Sequence, residues 1–247
     1  MKGISVESAF CKEEGFENDR RFMLVDETGK FISQRSHPKL ALFKQSINES
    51  SLTLDFEGSK QTIPFTFEEG SSMQVSVFDD TMEATPHLGP WNEWFSDILD
   101  SKLTIVKHTG KTQRIKKLLN APMQTKVSFA DGYPYLVLGT ASLKELNKKL
   151  DSPVRMDRFR ANIIVATERA HEEDSWESCK IGKVRFGFIK PCARCQVPTI
   201  DQQSAERGAE PIKTLAGYRK KGNKIFFGMN AISLDQGTVR VNDQVIF

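Results

Sequence analysis

The hydrophobic period of this chain changes near residue 88, and that change limits what the chain can fold into. Before it, short segments alternate apolar and polar residues: Ser51-Leu52-Thr53-Leu54-Asp55-Phe56 does so, and Met73-Gln74-Val75-Ser76-Val77 repeats the pattern. Asp26-Glu27-Thr28-Gly29-Lys30 is a turn between an apolar strand over 20–25 and extended structure over 31–35. Glu57-Gly58-Ser59-Lys60 is the next turn, between strands over 51–56 and 61–67. The stretch over 39–47 reads as one more strand. Short strands separated by closely spaced turns predict a small barrel or sandwich. After the change, Trp91, Trp94, Phe95, Ile98 and Leu99 fall at i, i+3, i+4, i+7 and i+8, which lines one helical face behind Gly89-Pro90. Tryptophans at that spacing read as core.

Further on, 103–107 reads as a strand, and the basic stretch over 111–120 fits no period. Ser142 and Glu145 stand at capping-box spacing ahead of Leu143, Leu146 and Leu150, which predicts a second helix. Strands follow over 162–166, 182–189, 224–234 and 238–247, with Gly237 and Asn242-Asp243 as the final turns. The expected class is α+β, mostly β, in two intimately packed units divided near 80–88: residues 1–85 and 86–247.

Charge excludes one class of partner. Lys and Arg number 35 against 32 Asp and Glu, a net +3, with the signs interspersed; this balance argues against a nucleic-acid partner. No run approaches the roughly 18 apolar residues of a membrane helix, so no membrane association is expected. The amino terminus lacks the order of a signal peptide, which makes the cytoplasm the expected location. Cys11, Cys179, Cys192 and Cys195 are too few and too irregularly spaced for a disulfide framework, so reduced thiols are expected.

The densest chemistry lies in Lys190-Pro191-Cys192-Ala193-Arg194-Cys195-Gln196-Val197-Pro198-Thr199-Ile200-Asp201. Cys192 and Cys195 could form half a zinc site, a redox dithiol, one metal thiolate with a bystander, or two core thiols. Arg35 stands at the end of an expected strand, and Arg158 and Arg160 lead into the apolar run Ile163-Ile164-Val165. Arginines at strand mouths suit phosphate or carboxylate binding, although a surface ion pair accounts for any one of them. Several arginines converging on a cysteine would point to a metal carried by an anionic organic cofactor. Asp131 opens the turn Asp131-Gly132-Tyr133-Pro134, where its carboxylate can accept from backbone amides or a ligand. His37, His87, His108 and His171 have no metal-ligand spacing. Phosphate-loop, nucleophile-elbow and dinucleotide motifs are absent.

In order along the chain, these stretches resemble one family. Asp19-Arg20-Arg21-Phe22-Met23-Leu24-Val25, Gln34-Arg35 and Pro38-Lys39-Leu40 resemble the amino-terminal barrel of the MOSC family, named for the carboxy-terminal domain of molybdenum cofactor sulfurases. Ala130-Asp131-Gly132-Tyr133-Pro134, Ala141-Ser142-Leu143, Phe159-Arg160-Ala161-Asn162-Ile163, Glu173-Asp174-Ser175-Trp176, Cys192-Ala193-Arg194-Cys195, Thr199-Ile200-Asp201, and Pro211 with Thr214-Leu215 resemble the MOSC domain proper. They are most similar to the branch that includes the mitochondrial amidoxime reducing component and its bacterial relatives.

The resemblance implies an amino-terminal β-barrel domain packed on a MOSC β-barrel domain with a few helices. It implies a molybdenum cofactor, a Mo-pyranopterin, whose metal is ligated by Cys195, with Cys192 a packed thiol. Arg35, Asp131, Arg160 and Asn162 are the implied cofactor contacts. The implied activity is reduction of N-hydroxylated substrates such as amidoximes, hydroxylamines and N-hydroxylated bases; the alternatives are a non-catalytic cofactor or sulfur carrier and a dithiol switch. Family members carry a strand before the equivalent of Lys2-Gly3, so the first barrel strand is expected to be missing. Some relatives append a ferredoxin domain, whereas this chain stops at Phe247. Electrons are therefore expected from a separate ferredoxin, flavodoxin, or cytochrome b5-like protein with its reductase.

Overall fold

In the computed structural model, which describes residues 1–68, 70–117 and 124–247, the period-two segments pair as antiparallel strands. The chain divides into two units. The first comprises Met1–Ile4, Arg20–Arg114 and Gln202–Glu206; the second comprises Ser5–Asp19, Ile115–Asp201 and Arg207–Phe247. The boundary expected after residue 85 falls within the first unit, inside the strand Asp80–Pro86 and just ahead of the helix Pro90–Leu99. Strands dominate both units, with three α-helices among the described residues, so the chain adopts the expected α+β, mostly β class.

In the first unit, one sheet runs in the order Phe22–Val25, Thr104–Lys107, Asp80–Pro86, Met73–Val77, and a meander joins Lys44–Ile47, Ser51–Phe56 and Ser59–Pro64. The meander's second turn holds Glu57 and Gly58 at φ 51° and 90°, a loop with two positive angles that matches the twist of its strands. Both sheets feed one core: Leu24 and Ile105 from the first, Leu54 and Ile63 from the second, with Phe43, Trp91, Phe95 and Leu99 between them. The helix starts at Pro90, as expected, and buries Trp91, Phe95 and Leu99. Trp91 Nε1 donates to the His87 carbonyl at 2.8 Å, and Trp94 packs edge-on against Phe43 at 5.4 Å. Truncating a buried aromatic of this kind to alanine costs about 3–5 kcal/mol, which makes the tryptophans structural.

Two expected strands are not formed as written. Beyond Phe31, which bridges Val25, the chain turns rather than extending to Arg35. The Ser33 carbonyl accepts from the amides of Ser36 and His37 at 3.1 and 2.9 Å, which curls the segment, and Pro38 then starts a 3-10 turn, Pro38–Ala41. The strand expected over 39–47 is thereby shortened to Lys44–Ile47. Gln34 is held here by a reciprocal pair of buried side-chain hydrogen bonds with Gln202, 2.9 and 3.0 Å long.

The second unit is built on a sheet in the order Ile163–Val165, Tyr135–Gly139, Lys224–Ser233, Val184–Ala193, Ser178–Ile181, Val245–Ile246. Its one parallel pair joins Tyr135–Gly139 to Ile163–Val165, and the helix Thr140–Asn147 lies in that crossover. Alternation divides the strand residues between two cores. Val137 faces Cys11, Tyr135, Phe186 and Val239, while Leu138 faces Leu146, Phe159, Leu215 and Phe227. The basic stretch over 111–120 contains the strand Ile115–Lys117, paired with Gln124–Lys126; its residues 118–120 lie outside the described residues.

The expected capping box is replaced by a long-range cap. The helix begins at Thr140 behind Gly139, and Glu145 pairs with Lys148 and Lys149 instead of reaching back. Glu173, fully buried, accepts from the Gly139 amide at 3.2 Å and from the Ser142 hydroxyl, which lies 2.7 and 2.8 Å from its two oxygens. A carboxylate at this end also complements the helix dipole. Ser142→Ala should lower the unfolding free energy in urea by about 1–3 kcal/mol by leaving Glu173 a donor short. A loss below roughly 0.5 kcal/mol, the range of ordinary surface substitutions, would show that another donor fills the gap.

Candidate functional site

A defect in strand pairing presents the cysteine stretch. Along Val184–Ala193 against Lys224–Ser233, Pro191 pairs with Met229 and Ala193 with Phe226, so an extra residue on the second strand faces Cys192. Gly228 lies in that bulge with φ 79°, and a Cβ there would meet the Val137 carbonyl at 2.8 Å. Bulges with glycine in this conformation twist a strand and re-aim its side chains. Here Phe227 and Ala231, four apart in one strand, enter different cores.

Past the bulge, the Arg194 amide makes a last bond to the Ile225 carbonyl at 2.8 Å, and the chain leaves the sheet into the 3-10 turn Val197–Thr199. Cys195 is half-buried at this exit. The Val197 amide donates to its Sγ at 3.5 Å, a contact suited to a sulfur that carries a metal's charge. Cys192 is also half-buried, and Arg194 Nη1 donates to its Sγ at 3.2 Å.

Two guanidinium groups fasten this exit to the loop that carries Arg160. Arg194 Nη2 donates to the carbonyl of fully buried Phe159 at 2.8 Å, and Arg158 donates to Asp201 at 2.5 Å and to the Pro198 carbonyl at 3.4 Å. Phe159 ends the 3-10 turn Met156–Phe159, and Arg160 caps it at φ 55°, ψ 36°, reversing the chain. The loop of Cys195 is therefore tied on both its flanks to the turn that leads into Arg160. Arg158 stands among the strand-mouth arginines noted in the sequence but not among the implied cofactor contacts, and Arg194 and Asp201 are given no role there. The available signal was the position of the two arginines within two residues of Arg160 and Cys195.

Asn162 is largely committed to the fold: its amide donates to the Leu136 carbonyl at 2.8 Å, its Oδ1 accepts from Leu136 at 3.0 Å, and its Nδ2 donates to Asp19 at 2.7 Å. One Nδ2 hydrogen remains for a ligand. Asp131 is exposed in the bend before Tyr135–Gly139. Tyr133 of that bend has its ring 5.0 Å from Lys190 Nζ, which places the bend beside the strand leading to Cys192. Arg35 belongs to the first unit, where its guanidinium lies 4.7 Å from the Phe78 ring centroid.

The other cysteines are excluded by burial. Cys11 is pushed up to about 12 and Cys179 to about 11, in both cases chiefly by burial, so both stay protonated thiols at neutral pH. Among the described residues no group of three or more His, Cys, Asp or Glu side chains could hold a metal ion.

Comparison with protein families matches residues 1–102 to the MOSC N-terminal beta barrel domain and 124–246 to the MOSC domain. The chain belongs to the MOSC-domain family. It is 28% identical over 263 residues to mitochondrial amidoxime-reducing component 1 of Mus musculus, covering 99% of this chain and 77% of that protein. The corresponding Homo sapiens protein is 26% identical over 264 residues, covering 99% of this chain and 78% of that protein. Molybdenum cofactor sulfurase of Oryza sativa is 27% identical over 250 residues, 92% of this chain but 30% of that protein.

Burial and thiol chemistry together predict a labelling pattern. Iodoacetamide at neutral pH should modify Cys192 and Cys195 in the native protein and reach Cys11 and Cys179 only after denaturation. Peptide mass spectrometry of both samples checks this.

Proposed function

We propose that this chain is a molybdenum-cofactor protein that reduces N-hydroxylated compounds such as amidoximes, hydroxylamines and N-hydroxylated bases. The observation that carries the reading is one half-buried sulfur, Cys195, on a loop that Arg194 and Arg158 bind to the loop of Arg160. A single protein sulfur with guanidinium groups close by in the fold suits a metal that arrives with its own anionic cofactor. Likeness to amidoxime-reducing components along 99% of the chain supports the substrate class.

Cys195 would ligate the metal, Arg160 and Arg35 would hold the cofactor's phosphate, and Asp131 and Asn162 would hydrogen-bond its pterin. When bound, the cofactor supplies the two-electron chemistry that converts an N–OH group, with two electrons and two protons, to N–H and water. The chain's own part is to bind and orient. Its committed Asn162 and stapled loops hold the donors in place before the cofactor arrives.

An iron–sulfur cluster takes about four protein ligands, chiefly cysteines. With Cys195 on the metal and Cys11 and Cys179 in the core, this chain has too few. We therefore assign the electrons to a separate ferredoxin, flavodoxin, or cytochrome b5-like protein with its reductase. We assign the protein to the cytoplasm; its four cysteines are free thiols, a state that a reducing compartment maintains. No helix among the described residues is long and apolar enough to cross a membrane.

The sulfurase match favours one other reading, a carrier of the cofactor, or of a sulfur on Cys195, without turnover. Metal and pterin analysis after expression with abundant cofactor separates the cases. Wild type and Cys192→Ser should carry stoichiometric molybdenum and pterin, and Cys195→Ser should lose the metal. Wild type without molybdenum would overturn the proposal. Loaded protein that reduces no amidoxime with any of the three donor types would leave the carrier reading in its place.

A further inference from the structure

The strands Met73–Val77 and Asp80–Pro86 are joined by a two-residue loop, since Val77 pairs with Asp80. The first residue of that loop is Phe78, at φ 56°. Two-residue hairpin loops that open on a positive φ favour glycine, asparagine or aspartate there, and a bulky aromatic in this region is a true outlier. Phe78 gains little burial in exchange, being 50% exposed. Backbone strain of this kind persists where it serves a site, so the inference runs from the outlier to a role.

The role is visible in what Phe78 touches. The Arg35 guanidinium carbon lies 4.7 Å from the Phe78 ring centroid and 6.0 Å from that of Phe31, and the two rings meet edge to face at 5.2 Å. Phe31 is fixed in turn by the strand beneath it. Its amide donates to the Ser76 carbonyl at 3.1 Å, and the Ser76 amide donates to the Gly29 carbonyl at 2.9 Å. Gly29 permits this contact, because a Cβ there would lie 2.3 Å from the Gln74 carbonyl oxygen. The result is a two-ring cradle for a long, flexible cation, held by a turn docked on a strand.

We propose that Phe78 is a positioning residue: it holds the Arg35 guanidinium, through its ring face, in the orientation that grips the cofactor's phosphate. This rests on the reading of Arg35 as a phosphate grip. A cation over an aromatic face is ordered by the ring's attraction, and ordering the side chain beforehand reduces the entropy lost on binding. Leucine would cover the same surface without the attraction, whereas tyrosine would preserve it.

The test compares full-length wild type, Phe78→Gly, Phe78→Leu, Phe78→Tyr and Arg35→Ala, each expressed with abundant cofactor. Bound molybdenum and pterin per chain are read after gel filtration, and the midpoint of thermal unfolding is read alongside. Phe78→Gly should melt at or above the wild-type temperature, because the strain is relieved. It and Phe78→Leu should retain cofactor roughly two- to five-fold less well, the range of one exposed cation–π contact. Phe78→Tyr should match wild type. A lowered midpoint in Phe78→Gly, or Leu retaining cofactor as well as Tyr, would reduce Phe78 to a packing residue and overturn the inference. Arg35→Ala at full cofactor would overturn the reading of Arg35 itself, and would do so whatever the Phe78 variants show.

Discussion

The second unit depends on one backbone constraint, the bulge at Gly228. The strand Lys224–Ser233 pairs on one side with Tyr135–Gly139 and on the other with Val184–Ala193, so it sets both neighbours at once. Regular pairing would send Phe227 and Ala231 to one face, and one of the two cores would lose its member. The left-handed glycine resolves this and opens the pairing opposite Cys192. Packing and presentation of the cysteine thus share one cause, which ties the cost of altering either to the other.

The ion pairs and guanidinium contacts of the second unit divide by environment. Arg185 and Asp235 form a two-pronged pair at 2.8 Å, but both lie in water, where such pairs contribute little. Arg158 is 16% exposed and Arg194 donates to the carbonyl of a buried residue, so their bonds are partly desolvated. Loop geometry around Arg160 is accordingly set by partly desolvated contacts, and the surface pairs add solubility.

What was legible in the sequence was local. The helix Pro90–Leu99 follows from Trp91, Phe95 and Leu99 at helical spacing, and the meander follows from alternation around Glu57-Gly58. The errors share a physical origin in partners far along the chain or in side chains that capture a turn. Ser142 and Glu145 look like a capping box, yet the cap is Glu173, which the chain brings back to the helix start. Arg35 looks like a strand end because the curl imposed by the Ser33 carbonyl leaves no mark in the hydrophobic pattern. Within the candidate site, Cys195 and Arg160 are proposed from their motifs. That Arg194 joins their loops through the Phe159 carbonyl, 35 positions away, is a property of the folded chain alone.

The path of the chain has a consequence for inheritance. It changes unit at residues 4/5, 19/20, 114/115, 201/202 and 206/207, and the first unit completes its Gln34 pair with Gln202. No single uninterrupted stretch of gene encodes either unit entire. Recombination that exchanges residues 20–114 alone for a homologous piece would part Gln34 from Gln202. The two units are therefore expected to travel through evolution as one indivisible cassette, with gene fusions confined to the ends.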